Sequence, residues 1–174
     1  RPIASMTEDS EAAGLCANLY PLAKLDILRL HPWNCAIKRV TLAPLAETPP
    51  FGWSYAFQLP GDWLRTIQVG LDADPGEYEI EGRTVLYDSN VLYLRYVADV
   101  SEGQWDSLLV HVMTKRMQID LAYPVTKSAS LRDSLVTEFN RPGLGVLARA
   151  KAVDGQENPP QDWGDSSLIN VRMR

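Results

Sequence analysis

The chain has 174 residues, of which 45% are hydrophobic and 22% charged, and its formal net charge is −5. These values are typical of a folded domain with a buried core and exclude a disordered or fibrous chain, while two cysteines are too few for a disulfide framework or a metal cluster. The acidic balance argues against sequence-independent binding of nucleic acid, and no stretch approaches the ~20 consecutive apolar residues of a bilayer span, so no membrane partner is expected.

The first predicted element is a long helix from about residue 10 to about residue 31. Asp9 or Ser10 can cap its start, Pro21 predicts a kink inside it, and His31-Pro32 predicts its end. The helix has two lines of apolar residues, which predicts that other parts of the protein or a partner cover it on two sides. The first line is Cys16, Leu19, Ala23, Ile27 and Leu30, and the second is Leu15, Leu22, Leu25 and Leu28.

The segment from 33 to 100 has the pattern of an antiparallel β region, because short runs rich in Val, Ile, Tyr and Trp alternate with Pro, Gly, Asp and Asn. Its clearest portion is a hairpin, in which Glu77–Ile80 and Arg83–Tyr87 flank a turn at Glu81-Gly82. A strand over Val91–Val97 follows. Further strands near 35–43, 54–59 and 64–70 complete a predicted small sandwich or barrel.

Helical patterns return after residue 100. The capping box Ser101–Gln104 predicts the start of a second helix, and Pro124 limits its end. A third helix is predicted from Ser130, with an interruption at Arg141-Pro142-Gly143 and a left-handed C-cap at Gly155. The predicted buried face of the second helix consists of Trp105, Leu108, Leu109, Val112, Met113, Ile119 and Leu121.

The predicted fold class is α+β, with a bundle of three long helices, an inserted small antiparallel β-sandwich or barrel, and an extended C-terminal tail. The predicted division is a first helical segment over residues 1–32, an inserted β domain over 33–100, a second helical segment over 101–155 and a tail over 156–174. The charge is uneven, since residues 70–102 hold eight acidic and two basic side chains. The acidity therefore belongs to the β insert.

The sequence contains no familiar catalytic signature, such as a nucleophile elbow, a phosphate loop or a zinc-protease helix. We predict that His31 ends a helix with its imidazole at the last carbonyls, that His111 lies on a helix face, and that Cys16 and Cys35 are small buried groups. Asp72–Glu77 weakly resembles a calcium loop, for which a solvated turn is the commoner explanation. We expect no enzymatic activity, no cofactor and no metal.

The acidic β insert leaves one alternative function open, the binding or hydrolysis of glycans. Trp53, Tyr78 or Tyr87 could stack on sugar rings, and two nearby carboxylates could act as acid and base. The candidate acids are Asp72, Asp74, Glu77, Glu79 and Glu81. Acids that keep a strand edge soluble are far more common than such catalytic pairs.

The tail contains the candidate partner-docking residues. Trp163 lies in a polar, proline-bearing segment with no periodic apolar face, so it either folds back on its own domain or anchors in a neighbouring subunit. Arg172 and Arg174 could pair with acidic side chains of a partner.

Five sequence runs occur in the order found in a known family. They are Ser10–Ala13 through His31–Asn34, Gly52–Pro60 with Asp62–Arg65, Tyr78–Gly82, Leu92–Val97 with Asp99–Val100, and Trp105. On these runs the chain resembles tail tubular protein A of short-tailed bacteriophages, over roughly residues 10 to 105. The helical remainder agrees in layout only, and Pro142-Gly143 interrupts a helix that is usually smoother in the family.

The resemblance implies a structural virion protein of the tail and neck, assembled in the host cytoplasm, that acts as a head-to-tail connector. It implies a helical bundle with an inserted β domain, and a twelve-subunit ring through whose centre DNA passes without sequence-specific binding. The implied partners are the portal protein and a tail nozzle like tail tubular protein B, with tail fibres as a further candidate. Acidic or neutral walls suit such a channel because they withhold contacts to phosphates.

Overall fold

The computed structural model describes residues 3–71 and 74–157. Within these ranges, four helices accompany seven short strands. The helices are α1 (Glu11–Leu30), α2 (Ser107–Thr126), α3 (Ala129–Asn140) and α4 (Val146–Gln156), with 3-10 turns at Asn34–Ala36 and Glu102–Gln104. The strands are β1 (Ile37–Leu42), β2 (Tyr55–Gln58), β3 (Trp63–Leu71), β4 (Asp74–Pro75), β5 (Glu79–Glu81), β6 (Thr84–Tyr87) and β7 (Leu92–Ala98).

Helix α1 confirms the first predicted element. The Ser10 hydroxyl accepts a hydrogen bond from the backbone N–H of Ala13 and so caps the first turn. Pro21 lies inside the helix, which continues through it to Leu30. The buried side of α1 is formed by Ala13, Ala23, Ile27 and Leu28.

Six of the seven described strands confirm the predicted positions to within about two residues, whereas β4 was not predicted, and the single sandwich or barrel is wrong. One antiparallel sheet has the order β1-β7-β3-β4, and a second has the order β2-β6-β5. Because β2 pairs with β6 while β3 pairs with β7, no ladder among the described strands joins the two sheets into a closed barrel. The register between β3 and β7 shifts between Trp63 and Arg65 and again between Thr66 and Gln68, as it does at β-bulges.

The prediction of three long helices is also wrong, because the third predicted helix is two shorter ones. Pro142 has no backbone N–H to continue the helix, and Gly143 has a φ of 70° in the left-handed region. Helix α3 therefore ends at Asn140, and α4 starts at Val146. Gly155 lies inside α4 and does not form the predicted left-handed cap.

The start of α2 differs from the prediction as well. Ser101 makes no side-chain cap, and the residues after it form only a 3-10 turn. Trp105 has extended backbone, and α2 begins after Asp106, whose Oδ1 accepts a hydrogen bond from the N–H of Leu109 at 2.7 Å. Pro124 lies inside the last turn of α2, and the helix ends at Lys127, whose φ is 57°.

One hydrophobic cluster connects the helices with both sheets. Trp33 is fully buried within it, and its indole N–H donates to the carbonyl of Ile27 at 2.9 Å, which closes the exit of α1 over the core. Other members are Leu28 of α1, Phe57 of β2, Leu94 of β7, and Leu109 and Val112 of α2. Burying side chains of this size contributes about 1.5–3 kcal/mol each. None of the described helices has the length and apolar character needed to cross a bilayer.

Candidate partner-docking surfaces

Several of the residues predicted to bind lie outside the ranges that the structure describes. These are Trp163, Arg172 and Arg174 of the tail, and Asp72 of the calcium-like loop. Among the described residues, no three His, Cys, Asp or Glu side chains group together as metal ligands would. The surfaces described below therefore belong to the helices and the two sheets.

The first surface is an apolar groove of about 480 Å³ between α1 and α2. Its floor is one face of α2, because Val110, Met113, Met117 and Leu121 follow each other at helical spacing. Tyr20 of α1 and Trp105 complete the walls. We call this surface the α1–α2 groove. Met113 and Leu121 belong to the face predicted to be buried, whereas Val110 and Met117 were missed, although their spacing indicates a second apolar line.

A polar network forms the rim of the α1–α2 groove. The Tyr20 hydroxyl donates to Glu102 Oε1 at 2.9 Å, and Lys24 Nζ lies 3.0 Å from Asp99 Oδ1 and 3.4 Å from Glu102 Oε1. Burial lowers the pKa of Lys24, but the hydrogen bonds and charges of Asp99 and Glu102 outweigh it and hold this pKa above its ordinary value. The network therefore stays charged at neutral pH and fixes α1 to the segment that precedes α2.

Trp105 is the groove's unusual side chain. Its indole Nε1 is buried and has no hydrogen-bond partner among the described residues. Lys24 Nζ lies 6.0 Å from the centroid of its ring. An unpaired buried donor costs about 1–3 kcal/mol.

The second surface is the outer side of α1. Leu22 is 70% exposed and Leu25 is 37% exposed, and they are neighbours because they are three residues apart on the helix. The second apolar line of the sequence is therefore buried at Leu28 but left uncovered at these two leucines. Leu22 follows Tyr20 by two residues, about 200° around the helix, so the outer leucines and the α1–α2 groove lie on opposite sides of α1.

A third concave surface lies in the β region and has a volume of about 560 Å³. It brings together Trp53, Glu77 and Tyr87, three of the residues considered for glycan chemistry, and adds Asp88. Asp88 Oδ1 accepts from the Ser54 N–H at 2.9 Å and from the Ser54 hydroxyl at 3.0 Å. Tyr78, Glu79 and Glu81 are not part of its lining, and Glu79 accepts a hydrogen bond from the Trp53 indole at 3.1 Å.

His31 ends α1 as predicted, but its imidazole is bound to a carboxylate of α4 and not to the last carbonyls of α1. Its Nε2 lies 2.8 Å from Oδ2 of Asp154 in α4, and the backbone N–H of Asn34 donates to Oδ1 of the same carboxylate at 3.0 Å. Cys16 and Cys35 are only half-buried, whereas His111 lies exposed on α2 as predicted. No local pattern links His31 to Asp154, because they are 123 positions apart.

No protein-family model matches this chain, and a search of the curated proteins finds no significant match.

Proposed function

We propose that the protein is a structural head-to-tail connector whose subunits close a ring between a portal and a tail nozzle, with DNA passing through the centre. The observation that supports this most is the pair of uncovered apolar surfaces on opposite sides of α1, the α1–α2 groove and the outer leucines Leu22 and Leu25. A ring with head-to-tail contacts needs two different surfaces on each subunit, one for each neighbour.

In this proposal the outer leucines of one subunit pack into the α1–α2 groove of the next. The groove is mainly apolar and contains two methionines, whose flexible side chains adapt to the shape of a partner. Trp105 lines the groove wall and offers aromatic surface to the neighbour. Aromatic side chains of this kind often contribute most of the binding energy of an interface.

The proposal is tested by the mass of the purified protein in solution and by negative-stain images, alone and with a portal protein. We expect a closed ring with a central hole, formed by the protein itself or on the portal. A protein that remains a single subunit in the presence of the portal and all other neck proteins would refute the connector function.

The tail has a separate role in this proposal. It docks on an adjacent protein through Trp163, Arg172 and Arg174. A chain truncated after Pro160 keeps all the described helices and strands. We expect it to fold but to fail to join the portal complex. Normal assembly of the truncated chain with the portal would exclude tail docking without affecting the ring itself.

A second candidate is a glycan-binding or glycan-hydrolysing tail protein. The cavity of about 560 Å³ favours it, because Trp53 and Tyr87 line the same space as Glu77 and Asp88. Turnover of cell-envelope glycans that is abolished by Glu77→Gln or Glu79→Gln would support this candidate. Activity that does not respond to any acid of the β region, or the lack of glycan binding, would remove it.

A further inference from the structure

The larger sheet carries two arginines that face each other without a counter-ion among the residues that the structure describes. Arg39 of β1 and Arg95 of β7 are direct partners in the antiparallel register. Such partners have Cβ atoms about 4.5–5.5 Å apart, and like charges in these positions are destabilising. Neither guanidinium forms a hydrogen bond or ion pair within residues 3–71 and 74–157, and Nε of Arg95 is buried without an acceptor. The arginine pair is unusual in a chain with 22 acidic residues.

The surroundings of the arginine pair are open and mixed in polarity. A cavity of about 400 Å³ and another of about 370 Å³ are both lined by Arg39 and Arg95. The first is also lined by Gln68 and Tyr93, and the second by Glu157. Glu157 is the acid in the lining of these two cavities, and it accepts a hydrogen bond from Asn34 at 3.4 Å instead of pairing with an arginine.

The acidic β region contains two exposed carboxylates that also have no partner in the described part of the chain. Glu77 lies just before β5 and Glu81 at its end, and β5 is an edge strand of the smaller sheet. Neither makes a hydrogen bond or ion pair with the described residues. The other acids whose side chains the structure describes between 70 and 102 are bound within the subunit: Glu79 to Trp53, Asp88 to Ser54, and Asp99 and Glu102 to Lys24.

We propose that the arginine pair, Arg39 with Arg95, binds the carboxylates of Glu77 and Glu81 of a neighbouring copy of this chain. The charges are complementary, and a guanidinium binds a carboxylate through two parallel hydrogen bonds. Each subunit carries the arginine pair on the larger sheet and the two carboxylates at the smaller sheet. In a head-to-tail ring the arginine pair can therefore contact one neighbour and the carboxylates the other. The inference rests on the proposed ring and names an ionic contact between its subunits.

The test uses two charge-reversed proteins, one with Arg39→Glu and Arg95→Glu and the other with Glu77→Arg and Glu81→Arg. Each variant alone places like charges at every subunit contact, so we expect assembly to need a more than about tenfold higher concentration. An equimolar mixture of the two variants restores complementary charges at each contact, and so does a single chain with all four changes. Both should assemble like the wild type, and the wild-type ring should weaken with added salt.

Two controls accompany the test. Arg132→Glu with Arg149→Glu changes two exposed arginines of α3 and α4 by the same charge and should leave assembly unchanged. Thermal unfolding of each variant checks its fold. Because Arg95 is partly buried, the single exposed change Arg39→Glu and the Glu77→Arg, Glu81→Arg protein keep the test valid if the arginine double variant does not fold.

Normal assembly of the folded charge-reversed proteins would overturn this inference and leave the connector function intact. Failure of the mixture and of the four-fold variant to assemble would also overturn it, because the arginines would then have another occupant. Failure of the wild type to assemble with any neck protein would instead refute the proposed function.

Discussion

His31 and Asp154 join the exit of α1 to the last helix, with 2.8 Å between His31 Nε2 and Asp154 Oδ2. Asp154 is only 4% exposed, and its carboxylate also accepts the backbone N–H of Asn34. The backbone carbonyl of Asp154 in turn accepts the side-chain amide of Asn34 at 2.6 Å. This single residue therefore holds the start of the β region against α4.

We expect Asp154→Ala to lower the free energy of unfolding by about 1–3 kcal/mol, because it leaves the partly buried Asn34 N–H without this acceptor. Urea unfolding monitored by circular dichroism measures the change. Asp133→Ala is the matched control, since Asp133 is exposed on α3 and its side chain forms no bond within the described chain. Equal stability of the two variants would show that the Asp154 contacts do not support the fold.

We expect the free energy of unfolding to fall at high pH, because Tyr96 ionises there. Burial, together with the hydrogen bond that its hydroxyl donates to Asp62, raises the pKa of Tyr96 from 10.0 to about 12. A raised pKa means that the folded state holds the proton more tightly, so this stabilisation is complete below about pH 10 and is lost as the pH rises towards 12.

The matching variant is Tyr96→Phe, which should cost about 1–2 kcal/mol at pH 7 and lose less stability than the wild type between pH 10 and 12. Urea midpoints measured across this range provide the comparison. Tyr93→Phe is the control, because the Tyr93 hydroxyl has no hydrogen-bond partner in the described chain. Identical pH profiles for the wild type and Tyr96→Phe would contradict the expectation.

Two glycines at the ends of α4 should respond to the same substitution with opposite signs. At Gly145, an added Cβ would lie 2.5 Å from the carbonyl oxygen of Phe139 and 2.8 Å from that of Arg141. Because backbone atoms cannot move aside easily, Gly145→Ala should destabilise the fold by about 1–3 kcal/mol. Gly155 lies in the helix with open space around it, so Gly155→Ala should stabilise by about 1 kcal/mol. Thermal unfolding of both variants measures the two effects. Stabilisation by Gly145→Ala would show that the α3–α4 turn is less tightly packed, and destabilisation by Gly155→Ala would contradict the expectation for the end of α4.

The outer leucines should matter for assembly and not for folding. Leu22→Asp adds a charge to an exposed side chain, so the free energy of unfolding should change by less than about 0.5 kcal/mol. Ring formation should be lost, because the charge would have to enter the apolar α1–α2 groove of the neighbour. Leu144→Asp is the control, as Leu144 is 65% exposed but lies in the α3–α4 turn. If the Leu22→Asp protein forms rings as stable as those of the wild type, the subunit contact does not involve the outer leucines.

Elements that are stabilised by residues close to each other in the sequence were predictable from the sequence. The Ser10 cap and the periodic apolar residues of α1 are signals within a few positions of each other, and the β5–β6 hairpin is built around one glycine turn. Two competing signals near α2 explain the error there. Ser101 and Asp106 are both good caps, and the structure uses Asp106 while Trp105 lines the α1–α2 groove.

The sequence by itself determined the kinds of elements along the chain, the acidity of the β region and the second apolar line of α1. Only the tertiary structure decided that the strands form two sheets, that His31 meets Asp154, and that Arg39 faces Arg95. Capping and periodicity act between residues a few positions apart, so they can be read along the chain. Strand register and helix packing depend instead on contacts between residues that are far apart in sequence, which local patterns do not specify.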